Sequence, residues 1–259
     1  MEKPFFFVPA SCSDLLYYFK KGKLSMALLG KIVLIIHIIA GVSTLITGPI
    51  AIFYNFKDPR KHRLVGKAFF YAMLIVGFSA VGGYLKLPDS AFMQFLMGIA
   101  IIVLTGIFRG VRTIALMKGG AVRRFDFVYT GVLGIGGLWM AGMSIWHFQQ
   151  GTMIAIPILF AVFGAMALND TWQNVRTFTQ PTALHRLDWM RLHASTMIGA
   201  FTASTTAFTV NAAHFLPWWV QWFGPTLLLV PVQIYFGRQL KGMQVNRREA
   251  KKQSVVMEQ

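Results

Sequence analysis

Residues 31–54 read KIVLIIHIIAGVSTLITGPIAIFY, and their length and apolar character indicate the class of structure that the chain forms. Apart from Lys31 and His37, it contains no basic or acidic side chain. An apolar run of about 20 residues is long enough to cross a hydrocarbon layer of about 30 Å as a helix. Most of the apolar runs here lack the polar stripe that a helix of a soluble protein carries. Six more runs follow it, at 64–85, 91–108, 127–147, 152–168, 192–213 and 218–236. The sequence predicts an all-α, polytopic transmembrane helix bundle of about seven spans.

The composition supports a membrane protein. Hydrophobic residues make up 55% of the 259 residues and charged residues only 13%, about half the charged share of a soluble domain. The net charge of +16 fits basic loops that face the cytoplasm and touch anionic lipid headgroups. No array of basic and aromatic residues and no nucleic-acid-binding motif accompanies that charge, so we expect no nucleic-acid partner.

The chain divides into three predicted parts. Residues 1–30 carry an aromatic cluster followed by lysines and are expected to lie at the membrane interface. Residues 31–236 form the transmembrane bundle, and residues 237–259 form a basic cytoplasmic tail. Lys and Arg concentrate in the tail and in the loops after spans one, three and five, whereas the opposite loops carry only Lys86. The positive-inside rule therefore predicts an external N-terminus and a cytoplasmic C-terminus.

The acidic residues exclude some functions. All nine fall in predicted loops, in the termini or at span ends. Pumps usually need ionisable groups along the membrane path, so this distribution argues against a carboxylate-driven transporter. The chain contains no phosphate-binding loop, zinc-protease motif or hydrolase elbow.

The histidines are the best candidates for chemistry. His37 lies about two turns inside the first span, whereas His62 and His193 lie near the predicted cytoplasmic ends of theirs. Histidine within or bordering a membrane is costly unless it has a partner. Because imidazole is an axial ligand of haem iron, these three residues are candidate iron ligands of haem b. The alternative is that they cap helices or reach the interface.

Three arginines stand on the same predicted side. Arg63 follows His62 directly, and Arg109 and Arg112 are three residues apart, so a helix places both on one face. They could pair with haem propionates or hold a lipid headgroup, a quinone headgroup or a phosphate. The alternative is that they only anchor the cytoplasmic side.

The sixth span is the most polar. Thr202, Thr205 and Thr209 share one helical face, and Asn211 follows them. These side chains could line a polar path through the membrane. Equally, threonine hydroxyls can bond to carbonyls of their own helix and cost little in lipid.

Several stretches act together as a pattern. They are His37-x-x-x-Gly41 with Gly48-Pro49, HRLVGK at 62–67, FRGVR at 108–112 with KGG at 118–120, and RLHASTMIGAFTASTTAFTVN at 191–211 before Leu216-Pro217. This pattern, spread over most of residues 31–236, resembles a family of predicted bacterial multi-pass membrane proteins catalogued only as a domain of unknown function. The resemblance implies a bacterial inner-membrane protein and implies no activity.

Three functional hypotheses follow. The first is membrane electron transfer that uses haem b or a quinone, with electrons passing between two imidazole-ligated irons, one near each face of the membrane. The second is a transporter of a small solute or lipid, with the threonine face as its path. The third is an accessory subunit of a membrane complex.

Overall fold

The computed structural model describes residues 26–55, 57–181 and 184–257. That part of the chain contains α-helices and no strand, which confirms the predicted all-α bundle. The helices are α1 Met26–Tyr54, α2 Pro59–Lys86, α3 Ala91–Met117, α4 Arg124–Gln149, α5 Ala155–Thr179, α6 Arg186–Ala212 and α7 Trp218–Met257. Most of the predicted interfacial segment, up to residue 25, lies outside the described residues.

Five helices, α1 to α5, are long and apolar enough to cross a membrane. The helices α6 and α7 do not reach the same mean hydropathy. The reason lies in their uncharged parts, because α6 is rich in threonine and serine, and α7 contains Gln221, Gln233, Pro225 and Pro231 among its apolar residues. Crossings by the last two helices therefore remain a prediction from the sequence.

The surface of the bundle is more apolar than parts of its interior. Ile38 and Ile39 of α1 are 53% and 62% exposed, whereas Thr44 and Thr113 are 0% exposed. In a soluble protein, large apolar side chains concentrate inside and polar ones outside. Because a hydrocarbon solvent does not penalise exposed isoleucine, this distribution suits helices surrounded by lipid.

Helix α3 is central, since it contributes to all three buried apolar clusters. It packs with α2 and α6 in the first cluster, with α4 and α5 in the second, and with α4, α5 and α6 in the third. The buried members are Phe69, Met73, Val103, Ile107, Ala200 and Phe201, then Phe95, Met140, Leu159 and Phe160, and then Leu116, Tyr129, Phe178 and Trp189.

Carboxylates fix three helix starts at the basic end of the bundle, where the chain passes from α1 to α2, from α3 to α4 and from α5 to α6. Asp58 caps α2 by accepting from the backbone N–H groups of Arg60 and Lys61. The bond from the Lys61 N–H is the largest influence that holds the pKa of Asp58 below its ordinary value. Asp126 and Asp188 accept from the N–H groups of Arg123 and His185 just before α4 and α6. These residues satisfy donors that a helix start leaves unpaired.

All seven helices are longer than the apolar runs predicted, and α3 and α5 continue well past the predicted ends. Helix α3 continues from 108 to Met117, and α5 continues from 168 to Thr179. Arg109 and Asp170 therefore lie inside helices. The expectation that every carboxylate falls in a loop, in a terminus or at a span end is wrong for Asp170, which lies within the candidate span Ala155–Thr179. The predicted spans end where an apolar run meets its first charged residue. The helix can continue past that residue because a residue of opposite charge on a neighbouring helix compensates it. Helix α7 likewise extends beyond 237, and Leu240 is buried.

The backbones of α4 and α5 approach each other closely at glycines. A Cβ atom at Gly164 would lie 3.2 Å from the Ala141 nitrogen and from the Gly137 oxygen. A Cβ atom at Gly137 would lie 3.1 Å from the Ala167 Cβ atom. Small residues at these positions allow the helices to pack by van der Waals contact, the main attraction between helices in lipid.

Candidate functional site

The structure brings His62 and His193 together at the basic end of the bundle. Both rings are partly buried, His62 in the first turn of α2 and His193 in the second turn of α6. Their ring centroids are 6.3 Å apart, and the ring planes are inclined by 78°. His62 and His193 lie on different helices and are more than 120 residues apart in the chain.

Backbone carbonyls orient both rings. His62 Nδ1 lies 2.9 Å from the carbonyl oxygen of Ala51 in α1, and His193 Nδ1 lies 2.7 Å from that of Gly110 in α3. A carbonyl oxygen only accepts, so each Nδ1 donates a proton. A neutral imidazole that is protonated at Nδ1 carries its lone pair on Nε2. Each ring can therefore offer Nε2 to a metal ion.

The close packing of α3 against α6 places His193. Gly110 is buried, and a Cβ atom there would collide with the side chain of Met197. Met197 follows His193 by one helical turn, so the glycine lets this face of α6 approach α3. The Gly110 carbonyl is then within reach of the imidazole.

His37 lies elsewhere. Its Nδ1 is 2.7 Å from the hydroxyl oxygen of Ser79 in α2. Ser79 and His62 are on the same helix, and a rise of about 1.5 Å per residue separates them by about 25 Å along it. The structure therefore does not bring His37 to the other two predicted ligands, and no other imidazole contacts it in the described part of the chain.

The predicted arginines have three different environments. Arg63 is exposed beside His62. Arg112 forms a bidentate pair with Asp126, with both N···O distances 2.6 Å, and also donates to the Ala121 carbonyl. Arg109 is buried, and its Nη1 lies 3.8 Å from Asp170 Oδ1. Arg109 and Arg112 thus bind separate carboxylates and do not form one shared binding site for a headgroup or a phosphate.

A buried polar cluster between α3, α4 and α5 was not predicted. Arg109 Nε, Tyr129 Oη and Asn174 Oδ1 are buried and have no hydrogen-bond partner within residues 26–55, 57–181 and 184–257. Asp170 is one turn before Asn174 on α5. Such groups are normally paired with protein or with ordered water. The spacing of Asp170 and Asn174, four residues apart, could have indicated one helical face.

The predicted polar path is largely satisfied within its own helix. Thr202 and Thr205 donate to the carbonyls of Ile198 and Phe201, four residues earlier. Thr209 also reaches the Gln221 carbonyl in α7, and Asn211 donates to the Ala207 carbonyl on the exposed surface. These contacts support the packing interpretation of the threonines.

The histidine pair supplies too few ligands for a metal ion that is held by protein side chains alone. Across the described ranges, no group of three or more His, Cys, Asp or Glu side chains could hold a metal ion. A structural zinc ion takes four protein ligands, and a catalytic one takes three. Haem iron already has four porphyrin nitrogens, so two imidazoles complete its coordination.

Comparisons of the chain with protein-family models, with curated proteins and with solved structures find no match. The family resemblance therefore remains a prediction from the sequence pattern. The helices define the class of protein: this chain is an integral, multi-pass helical membrane protein.

Proposed function

We propose that the chain binds one haem b between His62 and His193 and carries single electrons within the membrane. The observation that carries this proposal is the imidazole pair, in which each Nδ1 donates to a backbone carbonyl and leaves Nε2 for iron. Hydrogen bonding of the second ring nitrogen is the usual way in which a protein orients a metal-binding histidine.

The spacing of the two rings fits two axial ligands. A metal ion bonds an imidazole nitrogen at about 2 Å, and the ring centroid lies about 1 Å behind that nitrogen. Two imidazoles on opposite sides of one iron therefore have centroids about 6 Å apart. The distance between the two centroids is 6.3 Å.

The neighbouring residues supply further parts of such a site. Arg63 is exposed beside His62 and would hold a haem propionate by charge-assisted hydrogen bonds. Bound iron would alternate between the ferric and ferrous states by gaining and losing one electron. A membrane quinol is the class of donor we propose, because it dissolves in the same hydrocarbon layer as the bundle. Its oxidation to the quinone would release two protons and supply two electrons, which the iron would take up one at a time and pass on to a one-electron acceptor of higher potential.

The location follows from the same reasoning. We place the protein in a bacterial inner membrane, with the histidine pair near the cytoplasmic face and anionic lipid headgroups around the basic rim. His37 is not assigned as a ligand in this proposal because it lies far from the pair. The threonine face supports the transporter hypothesis less well, since its hydroxyls bond within the bundle.

Visible absorption tests the proposal. The full-length protein, expressed with a haem precursor and purified in mild detergent, is expected to show a Soret band and, after reduction by dithionite, sharp α and β bands. Both His62→Ala and His193→Ala should lower the haem content by about tenfold or more, since each removes half of the axial coordination.

His37→Ala is the matched control, because it also removes a partly buried imidazole that is hydrogen-bonded through Nδ1. It should retain the wild-type spectrum. A colourless wild-type preparation, or haem retained in both His62→Ala and His193→Ala, would overturn the proposal.

A further inference from the structure

A cleft of 350 Å³ opens between α6 and α7 at the basic end of the bundle. We propose that it binds the phosphate headgroup of an anionic glycerophospholipid. Its lining combines three cationic side chains with an apolar floor. The cationic residues are Arg191, Arg238 and Lys241, and the floor consists of Ile198, Phe236 and Leu240.

The charge of the cleft is uncompensated by the side chains that the structure describes up to residue 242. Arg191, Arg238 and Lys241 are exposed, and none of them forms a salt bridge with a carboxylate among those side chains. Among the described residues that line the cleft there is no Asp or Glu. The nearest carboxylate along α6, Asp188, accepts from the His185 backbone at the helix start. A phosphate would therefore meet three cations, two of which can donate two hydrogen bonds in parallel.

The polarity of the cleft changes along the helices as a lipid requires. Arg191 is about two turns closer to the basic end than Ile198, and Lys241 is about two turns beyond Ile234. Ile234 is 49% exposed on the lipid-facing side. The cations thus lie where headgroups are expected, and apolar side chains lie where acyl chains begin.

A hydrogen bond joins the two helices, α6 and α7, that form the sides of the cleft. Gln233 of α7 donates to the Ser195 carbonyl of α6 at 3.1 Å. The Cβ position of Gly237 lies 3.6 Å from Arg191 Nε, so the Arg191 side chain of α6 lies against the backbone of α7. The cleft is therefore a defined feature of the α6–α7 contact.

This site is independent of the proposed haem site. Arg191 and His193 are two residues apart, and two residues turn an α-helix by about 200°. His193 faces α3, and Arg191 faces α7. Loss of lipid binding would therefore leave the haem proposal standing, and the reverse also holds.

Lipid selectivity tests the assignment. The full-length protein would be titrated in nanodiscs or mixed micelles with a phosphatidylglycerol or with a phosphatidylcholine of the same acyl chains, and bound lipid would be counted by native mass spectrometry. Three cations near one phosphate are expected to favour phosphatidylglycerol by about tenfold or more. The triple variant Arg191→Gln, Arg238→Gln, Lys241→Gln should lose this preference.

The matched control is Arg60→Gln, Lys67→Gln, Arg176→Gln. It removes the same charge from exposed positions outside the cleft and should keep the preference. Ala194→Trp fills the cleft without changing its charge and should weaken phosphatidylglycerol binding.

Four results would overturn the proposal. Three of them are an unchanged preference in the cleft triple variant, an equal loss in the control triple variant, and full binding in Ala194→Trp. The fourth is displacement of the lipid by inorganic phosphate, because it would indicate a site for a soluble anion.

Discussion

At the level of single residues, the two arginines of α3 that lie three residues apart differ in how well their charges and hydrogen-bond donors are satisfied. Arg112 forms two short hydrogen bonds with a carboxylate that is itself 0% exposed, and that carboxylate also accepts from the Arg123 backbone. Arg109 is buried with a carboxylate 3.8 Å away and an Nε atom without a partner in the described residues. The first pair is well satisfied, whereas the second leaves room for water or for a change of partner.

We therefore predict that Asp126→Asn destabilises the bundle strongly. Removing one charge of a buried pair leaves the other uncompensated, and the free energy of unfolding should fall by about 3 kcal/mol. A denaturant titration in mixed micelles measures the change. Asp58→Asn is the comparison, because Asp58 caps a helix while forming only an exposed pair with Lys61, and it should lower the free energy of unfolding much less than Asp126→Asn does. Equal losses in the two variants would contradict this view of the Arg112–Asp126 pair.

The candidate ligands also show what a sequence can provide at this scale. The cost of histidine in a membrane indicated His62 and His193, and their positions at the same end of two helices made a shared ligand reasonable. No feature of the sequence predicted that the backbone carbonyls of Ala51 and Gly110 would accept hydrogen bonds from these two rings. Backbone acceptors carry no residue type, so only the packing of α1 and α3 against these rings reveals them.

At the scale of helices, the interface between α4 and α5 depends on backbone contact. The buried side of Gly164 faces the nitrogen of Ala141 and the oxygen of Gly137, neither of which can turn aside as a side chain can. Replacement by a larger residue must therefore separate the two helices.

We predict that Gly164→Val lowers the free energy of unfolding by about 1–3 kcal/mol, the usual cost of overpacking. Gly142→Val is the matched control on α4, since nothing lies within 4 Å of a Cβ atom at that position. The melting temperature in detergent should fall for the first variant and stay close to wild type for the second. A similar fall in both would attribute the effect to helix propensity instead.

The seven long helices of the described residues were predictable, and α3 and α7 begin where the apolar runs begin. Helices α2 and α6 begin five and six residues earlier than their runs at 64–85 and 192–213, and the ends of α3 and α5 were not predictable. Apolar runs and the carboxylates at helix starts are local features, and both are visible in the sequence. The continuation of α3 through Arg109 and of α5 through Asp170 depends on the pairing of these two residues with each other. Such pairing depends on how two helices pack against each other, so the sequence of one helix alone does not predict it.

At the scale of the whole molecule, the distribution of basic residues predicts the orientation. An odd number of crossings places the termini on opposite sides, and the positive-inside rule places the loop between α3 and α4 in the cytoplasm. This prediction includes the crossings by α6 and α7.

Cysteine labelling tests the orientation. In a chain with Cys12→Ser, which removes the one native cysteine, Lys118→Cys should react with a membrane-impermeant maleimide only after the cells are opened. Gln150→Cys, exposed after α4 at the other end of the bundle, should react in intact cells. The reverse pattern would invert the topology, and labelling of both residues in intact cells would refute a crossing by α4.

The position of α6 determines when the molecule can be completed during its synthesis. The side chain of Phe201 occupies the space at Gly48 of α1, the hydroxyls of Thr44 and Ser204 are hydrogen-bonded, and His193 reaches Gly110 of α3. Helices α1, α2 and α3 therefore emerge from the ribosome with a shared inner face that has no protein against it. That face stays in contact with lipid or with the insertion machinery until the sixth helix arrives, so folding of this core follows translation of the last third of the chain.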